Sequence, residues 1–270
     1  MRAATELLAD LGQFADHDLP VLEAALALGR IHRPASDTPA VRTAINDLIE
    51  QVRQTLPVKP LAADMAAASA AVLVDNNHFG LGGDEAESHE LHELVSQYRG
   101  NGDLLALLWL SVAEGCGLGA EMLAFPLHSL IRYSDHMGGR VIVACNDGRR
   151  LDCPALRLLH KIDAGPSAEL EPDFFQALSP RDVLLRWRQS LKMHHLRLGR
   201  LEPALKVVES ALLFAPNRAS LWREAGLMRM RLDDLPGAAA ALEQFIQRED
   251  NVLARGRGQQ LLAEIRSRMS

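Results

Sequence analysis

Two segments in the C-terminal third of the chain repeat each other at an offset of 34 residues. LGRLEPALKVVESALLFAPN (198–217) superposes on LDDLPGAAAALEQFIQREDN (232–251), with Leu201 over Leu235. Apolar residues recur every three or four positions in both segments, which is the spacing of one buried helical face. A fixed period of this length means that each unit buries its apolar face against its neighbour. This part of the chain is therefore predicted to be all-α.

Thirty-four residues is the period of the tetratricopeptide repeat, a pair of antiparallel helices. The register predicts repeats over 185–218 and 219–252, followed by a capping helix over 254–268 that covers the open end of the array. It also places Ala204 and Ala238 where the two helices of each repeat touch, a position that needs a small side chain.

The preceding part of the chain changes its period twice. Helical spacing of apolar residues predicts helices over 19–31, 40–56, 60–74, 88–98 and 103–116, the last apolar around most of its circumference. Short β-branched or apolar runs then predict strands at about 120–126, 128–134, 140–145 and 149–152. The predicted fold class is α+β: a helical N-terminal part and a core with a small antiparallel sheet over 1–165, then an all-α tetratricopeptide tail over 166–270.

Composition excludes several classes of partner. The chain of 270 residues has 29 basic and 35 acidic side chains, a net charge of −6, which gives no support to nucleic-acid binding. Its apolar runs fall short of the ~20 residues that span a bilayer, so no membrane association is expected. Three cysteines are too few for a disulfide framework, and no Cys/His spacing indicates zinc. We expect a cytoplasmic protein without cofactor or metal.

The stretch from Phe79 to Tyr133 resembles the SirB-type family of bacterial proteins. The landmarks that carry the resemblance are Phe79, Gly80, Gly100, Leu110, Val112, Ala113, Gly117, Leu118, Pro126, His128, Arg132 and Tyr133. That family joins a transglutaminase-like (papain-like) core to C-terminal tetratricopeptide repeats. The resemblance implies a regulatory or accessory role rather than a defined reaction.

A transglutaminase-like core works with Cys, His and Asp. The thiolate sits at a helix N-terminus, an imidazole takes its proton and a carboxylate orients the ring. The resemblance places the nucleophile near Gly102, where no Cys, Ser or Thr occurs, and the family itself usually lacks the cysteine there. It places the histidine at His128. At the position of the acid stand Ala144 and Cys145, with Asp147 in the following turn. The core is therefore predicted to be a degenerate pseudoenzyme in which His128 is vestigial.

An enzymatic alternative pairs His128 with Cys145. If the two strands are adjacent, this thiol–imidazole pair could serve a cysteine-type amidase or acyl transferase. A cysteine on a strand lacks the helix dipole, however, and an apolar run raises the pKa of a thiol.

The segment ESHELHEL invites a metal interpretation through His89, Glu90, His92 and Glu93. Its two histidines are three residues apart, whereas the zinc-binding helix motif needs a spacing of four. We interpret it as the acidic, solvated face of a helix.

The C-terminal hundred residues are basic, with 16 basic and 12 acidic side chains. Tetratricopeptide pairs stack into a concave groove suited to a peptide, and the first helices of the repeats would line it. The predicted partner-binding residues are Arg188, Lys192, His195, Arg223 and Arg229. Their charge predicts a protein partner with an acidic peptide segment. A purely structural subunit of a larger assembly is a further alternative.

Overall fold

A computed structural model describes residues 4–83 and 89–269. The helices of the described residues are α1 (Ala4–Leu11), α2 (Val21–His32), α3 (Thr38–Thr55), α4 (Ala62–Ala70), α5 (Leu91–Gln97), α6 (Gly102–Gly115), α7 (Cys153–Ala164), α8 (Pro180–Arg197), α9 (Leu201–Phe214), α10 (Ala219–Arg231), α11 (Leu235–Arg248) and α12 (Val252–Met269). The strands are β1 (Gly80–Leu81), β2 (Arg99–Gly100), β3 (Ala120–Met122), β4 (Leu130–Ser134), β5 (Arg140–Ala144) and β6 (Arg150–Leu151). A π-helical turn, Ala71–Asn76, follows α4, and a 3₁₀ turn spans Pro172–Phe175.

These elements form two compact units. One is Pro20–Trp187, and the other combines the described residues up to Leu19 with those from Arg188 onward. The N-terminal residues belong to the second of these units because α1 packs on α9. Just after α1 the chain lies so close to α9 that a Cβ atom added to Gly12 would be 2.5 Å from the carbonyl oxygen of Leu213. Sequence patterning predicted no boundary at these positions and placed the junction between residues 165 and 166.

The α+β class is confirmed in the Pro20–Trp187 unit. Strands β3, β4, β5 and β6 pair in that order as an antiparallel sheet, with Leu130 opposite Ala144 and Ser134 opposite Arg140. A second, two-stranded sheet pairs β1 with β2 in parallel. The sequence did not predict this pair, because two-residue strands are too short to show any alternation of apolar and polar residues.

Helix α6 runs through the core of this unit. Asn101 caps it, its side-chain oxygen accepting a hydrogen bond from the backbone N–H of Leu104 at 2.8 Å. Every residue from Leu104 to Trp109 is buried, which agrees with the apolar circumference that the sequence predicts. Close packing extends to the end of the helix, where a Cβ on Gly115 would lie 2.3 Å from Cδ1 of Ile49 on α3.

The tail is all-α, as predicted. Helix α9 packs on α10, α10 on α11 and α11 on α12. Helix α8 precedes α9 in the chain, where the register expects the first helix of the first repeat. Ala204 and Ala238 are fully buried, as small residues at a helix crossing should be. The second repeat has Asp233 where the first has Gly199, yet both adopt a left-handed backbone, with φ of +60° and +67°. Among the described residues, no helix is both long and apolar enough to cross a membrane.

Candidate functional site

The N-terminus of α6 carries no thiol or hydroxyl side chain. After the capping residue Asn101 come Gly102 and Asp103, and neither has a thiol or hydroxyl group. A Cβ built on Gly102 would lie 3.1 Å from the hydroxyl oxygen of Ser129. A cysteine at this helix end would have a lowered pKa. Position 102 faces the loop before β4, but its side chain is only the hydrogen atom of glycine.

A partly buried ion pair occupies this end of the helix instead. The carboxylate of Asp103 accepts hydrogen bonds from Ser129 Oγ at 2.8 Å and from Arg186 Nε at 2.9 Å. The two terminal nitrogens of Arg186 donate to the carbonyl oxygens of Phe125 and His128, each at 2.9 Å. Arg186 thus ties α8 to α6 and to the Phe125–Ser129 loop. Sequence reasoning missed this residue, because nothing in the local pattern around it indicates three distant acceptors.

His128 lies in a turn rather than on a strand. Strand β4 begins at Leu130, so the predicted strand over 128–134 starts two residues too early. The cause is local: Leu127 has a left-handed φ of +58°, and the backbone N–H of His128 donates to the carbonyl of Pro126 at 2.7 Å. Leu127 is also one of the more exposed apolar side chains, at 79%.

The carboxylate beside His128 is Asp163, not Asp147. His128 Nε2 lies 2.7 Å from Asp163 Oδ2, and both side chains are partly exposed. Asp147 instead pairs with Arg149 at 2.6 Å across the β5–β6 turn. Asp163 stands near the end of α7 on the same face as His160, whose ring contacts Phe125. Sequence position could not identify Asp163, because the fold of α7 onto the loop brings it there.

Cys145 lies beside the loop that carries His128, but its thiol is buried. Its backbone N–H donates to the carbonyl of Ser129 at 3.2 Å, which places it at the end of β5 beside the loop. Its side chain is 1% exposed. Burial, with the Asp103 carboxylate as a second cause, raises the pKa of the Cys145 thiol far above its ordinary value. Burial therefore keeps this thiol away from solvent and disfavours its thiolate form.

The other two cysteines lie elsewhere. Cys116 follows the C-terminus of α6, about 20 Å along the helix from Gly102 at 1.5 Å per residue. It lines a cleft of about 640 Å³ together with Lys59, Asp135 and His136. Burial raises the pKa of the Cys116 thiol, which donates to the carbonyl of Ile49 at 3.4 Å. Cys153 is exposed at the first position of α7.

The solvated-face interpretation of the His89–Glu93 segment is wrong for its first two residues. His89 and Glu90 are buried, because they precede α5 and pack inside the unit: Asn101 bonds the His89 ring and Trp187 Nε1 donates to the His89 carbonyl at 2.8 Å. Within residues 4–83 and 89–269, no cluster of three or more His, Cys, Asp or Glu side chains could hold a metal ion.

Two of the residues predicted to line a groove are inside the protein. Arg188 is 1% exposed and Lys192 is 5% exposed, so neither offers an open cationic surface. The ammonium of Lys192 lies 2.5 Å from Glu224 on α10, and a charge buried to this degree needs such a partner. For these two residues the prediction is corrected.

The other three predicted groove residues differ in exposure and in whether another side chain compensates their charge. Arg229 is partly buried and pairs with Glu209 at 2.6 Å, so much of its charge is compensated within the tail. His195 is partly buried; burial and then the neighbouring His194 lower the pKa of its ring. Arg223 is exposed on α10.

Comparisons with known proteins cover nearly the whole chain. A family model for the transglutaminase-like superfamily matches residues 39–189, and a tetratricopeptide repeat model matches residues 191–269. A UPF0162 protein of Xylella fastidiosa (strain Temecula1) is 26% identical over 249 residues, which cover 88% of this chain and 87% of that protein. A UPF0162 protein of Pseudomonas aeruginosa is 25% identical over 232 residues, with 81% and 83% covered.

Among solved structures, menin superposes with a TM-score of 0.42 and 8% identity over 90% of this chain and 68% of menin, a likeness too low to carry an argument. The transglutaminase-like model matches more than half of the chain. The tetratricopeptide match follows it along the chain, which is the order expected from the resemblance. The chain therefore belongs to the transglutaminase-like superfamily, as a SirB-type protein in which this core is followed by tetratricopeptide repeats.

Proposed function

We propose that this protein is a non-catalytic interaction protein with a regulatory or accessory role in the cytoplasm. Its transglutaminase-like core is a pseudoenzyme, and its tetratricopeptide tail binds a protein partner. The observation that carries the proposal is the N-terminus of α6, where Gly102 and the ion-paired Asp103 stand in place of a nucleophile.

The chemistry of acyl transfer explains why this observation matters. A covalent mechanism needs a nucleophile, a base that takes its proton and a group that orients the base. The His128–Asp163 pair supplies the second and third functions only. Members of a triad act as a unit, so an oriented imidazole without a nucleophile retains little of the rate enhancement.

The alternative function is a cysteine-type amidase or acyl transferase that uses His128 with Cys145. The oriented histidine favours it. Against it stand the burial of the Cys145 thiol and its raised pKa, since the attacking species must be a thiolate that substrate can reach. We therefore favour the interaction role.

The tail supports the interaction half of the proposal. Tetratricopeptide pairs provide a groove lined by the first helix of each repeat, here α8 and α10. Arg223 is exposed on α10, and basic side chains outnumber acidic ones in the last hundred residues by 16 to 12. A partner segment rich in Asp or Glu complements this charge.

Salt dependence tests the interaction half. The purified chain, immobilised and exposed to a bacterial lysate, should retain a specific partner at low salt and release it at high salt, because exposed charge pairs are screened once the Debye length falls to a few ångströms. A resin carrying an unrelated acidic protein of similar size controls for non-specific retention. Failure to retain a specific partner, or equal retention at both salt concentrations, would contradict recognition by charge.

A further inference from the structure

The tail holds a small cavity between the last three helices. Its volume is about 120 Å³. Its lining includes Arg223 of α10, Leu242 and Phe245 of α11, and Arg257 and Gly258 of α12. All of them belong to one compact unit. Among them, the sequence predicted a partner-binding role only for Arg223.

The inner wall of the cavity is apolar and tightly packed. Leu242 is fully buried and Phe245 nearly so. A Cβ on Gly258 would lie 2.7 Å from the Phe245 ring, so glycine is what allows α12 to approach α11 so closely. A water molecule takes a share of about 30 Å³ in the liquid, so the cavity has room for an apolar side chain of the size of leucine.

Two guanidinium groups stand at this apolar cavity. Arg223 and Arg257 are exposed, and within residues 4–83 and 89–269 neither side chain has a hydrogen bond or ion pair. By contrast, two arginines further along α12 are paired: Arg266 with Glu243 at 2.7 Å and Arg268 with Asp233 at 3.5 Å. The two cavity arginines come from different helices, so positive charge approaches the cavity from α10 and from α12.

We propose that this cavity is the anchor site for an acidic peptide segment of the partner. A large apolar side chain, such as leucine, enters the cavity, and Asp or Glu side chains on either side of it pair with Arg223 and Arg257. The proposal rests on the proposed interaction function and gives it a location and a sequence preference.

The combination of an apolar cavity with unpaired cations decides the chemistry of the occupant. Burying one apolar side chain in the cavity stabilises the complex by the hydrophobic effect. The arginines favour carboxylates, with which their planar groups form paired hydrogen bonds. The exposed Leu253, one helical turn before Arg257, extends the apolar surface on the same side of α12. A nucleic acid would instead require a wider basic surface with aromatic side chains for stacking.

The test uses the full chain and a synthetic, fluorescently labelled peptide. The peptide has a central leucine flanked on each side by two glutamates within a Gly/Ser sequence, and both termini are blocked so that only side chains supply carboxylates. Fluorescence anisotropy measures its dissociation constant. Arg223→Glu and Arg257→Glu are each expected to weaken binding about tenfold or more, equivalent to about 1.4 kcal/mol. Replacing the central leucine of the peptide by glycine should weaken binding by a similar factor.

Lys206→Glu is the matched control, because it makes the same charge change at an exposed position of α9 outside the cavity. It should alter affinity by less than about twofold. The proposal is overturned if the peptide does not bind the wild-type chain, or if binding survives both arginine reversals unchanged. Either result would leave the salt-dependent capture of a partner to decide the proposed function on its own.

Discussion

Replacing Arg186 by alanine is expected to lower the free energy of unfolding of the Pro20–Trp187 unit by about 3 kcal/mol. The guanidinium donates to Asp103 and to two backbone carbonyls, all at 2.9 Å. Its removal takes one ion-pair partner from the Asp103 carboxylate, which is only 12% exposed, and removing one member of a buried pair costs about 3–5 kcal/mol. Because both side chains are partly exposed, solvent screens their interaction, and we expect a loss at the lower end of that range.

Urea unfolding of the full chain, followed by far-UV circular dichroism, measures this loss. Arg150→Ala is the matched control: Arg150 also donates to a backbone carbonyl, that of Ala63, but from an exposed position without a buried acid. It should cost less than about 1 kcal/mol. A loss below about 1 kcal/mol for Arg186→Ala would contradict the structural role assigned to this arginine.

Adding a single methyl group at Gly115 should destabilise the same unit by about 2 kcal/mol. A Cβ there would lie 2.3 Å from Cδ1 and 2.8 Å from Cγ1 of Ile49, closer than any real contact. Ile49 is buried, so it has little room to move, and overpacking a core costs about 1–3 kcal/mol. Gly115→Ala therefore forces α6 away from α3.

The double variant Gly115→Ala, Ile49→Ala separates this clash from a general preference for glycine. Removing the isoleucine side chain should make room for the new methyl group, so the two losses should be less than additive by about 1 kcal/mol or more. Gly29→Ala is the control in α2, where a Cβ would meet nothing within 4 Å; it should be neutral or stabilising by up to about 1 kcal/mol. Strict additivity in the double variant would show that α3 and α6 do not meet as described.

The parts of the fold that the sequence predicts are those encoded by local periodicity. The 34-residue offset set the register of the tail, and the crossing positions Ala204 and Ala238 are buried as expected. The apolar circumference of α6 predicted the core helix. The predicted start of β4 is wrong because Leu127 adopts a left-handed backbone conformation. This conformation interrupts an apolar run that, from the sequence, is typical of one continuous strand.

The parts that the sequence could not predict depend on contacts between distant residues. Asp163 reaches His128 across 35 positions, and Arg186 reaches Asp103 across 83. Lys192 was predicted to be a surface cation, but it is buried and pairs with Glu224 on another helix. A charged side chain needs either water or a partner of opposite charge. The sequence shows the charge, but only the packing of the helices determines whether water or a particular residue meets it.

Alkylation of the cysteines by iodoacetamide at about pH 7 tests whether His128 activates any thiol of the chain. Peptide mapping by mass spectrometry gives the rate at each cysteine of the native chain and of the His128→Ala variant. We predict modification of the exposed Cys153, protection of the buried Cys145, and the same rates in both proteins, because the reactive species is the accessible thiolate. Rapid modification of Cys145 that disappears in His128→Ala would reveal an activated thiol–imidazole pair and contradict the pseudoenzyme account.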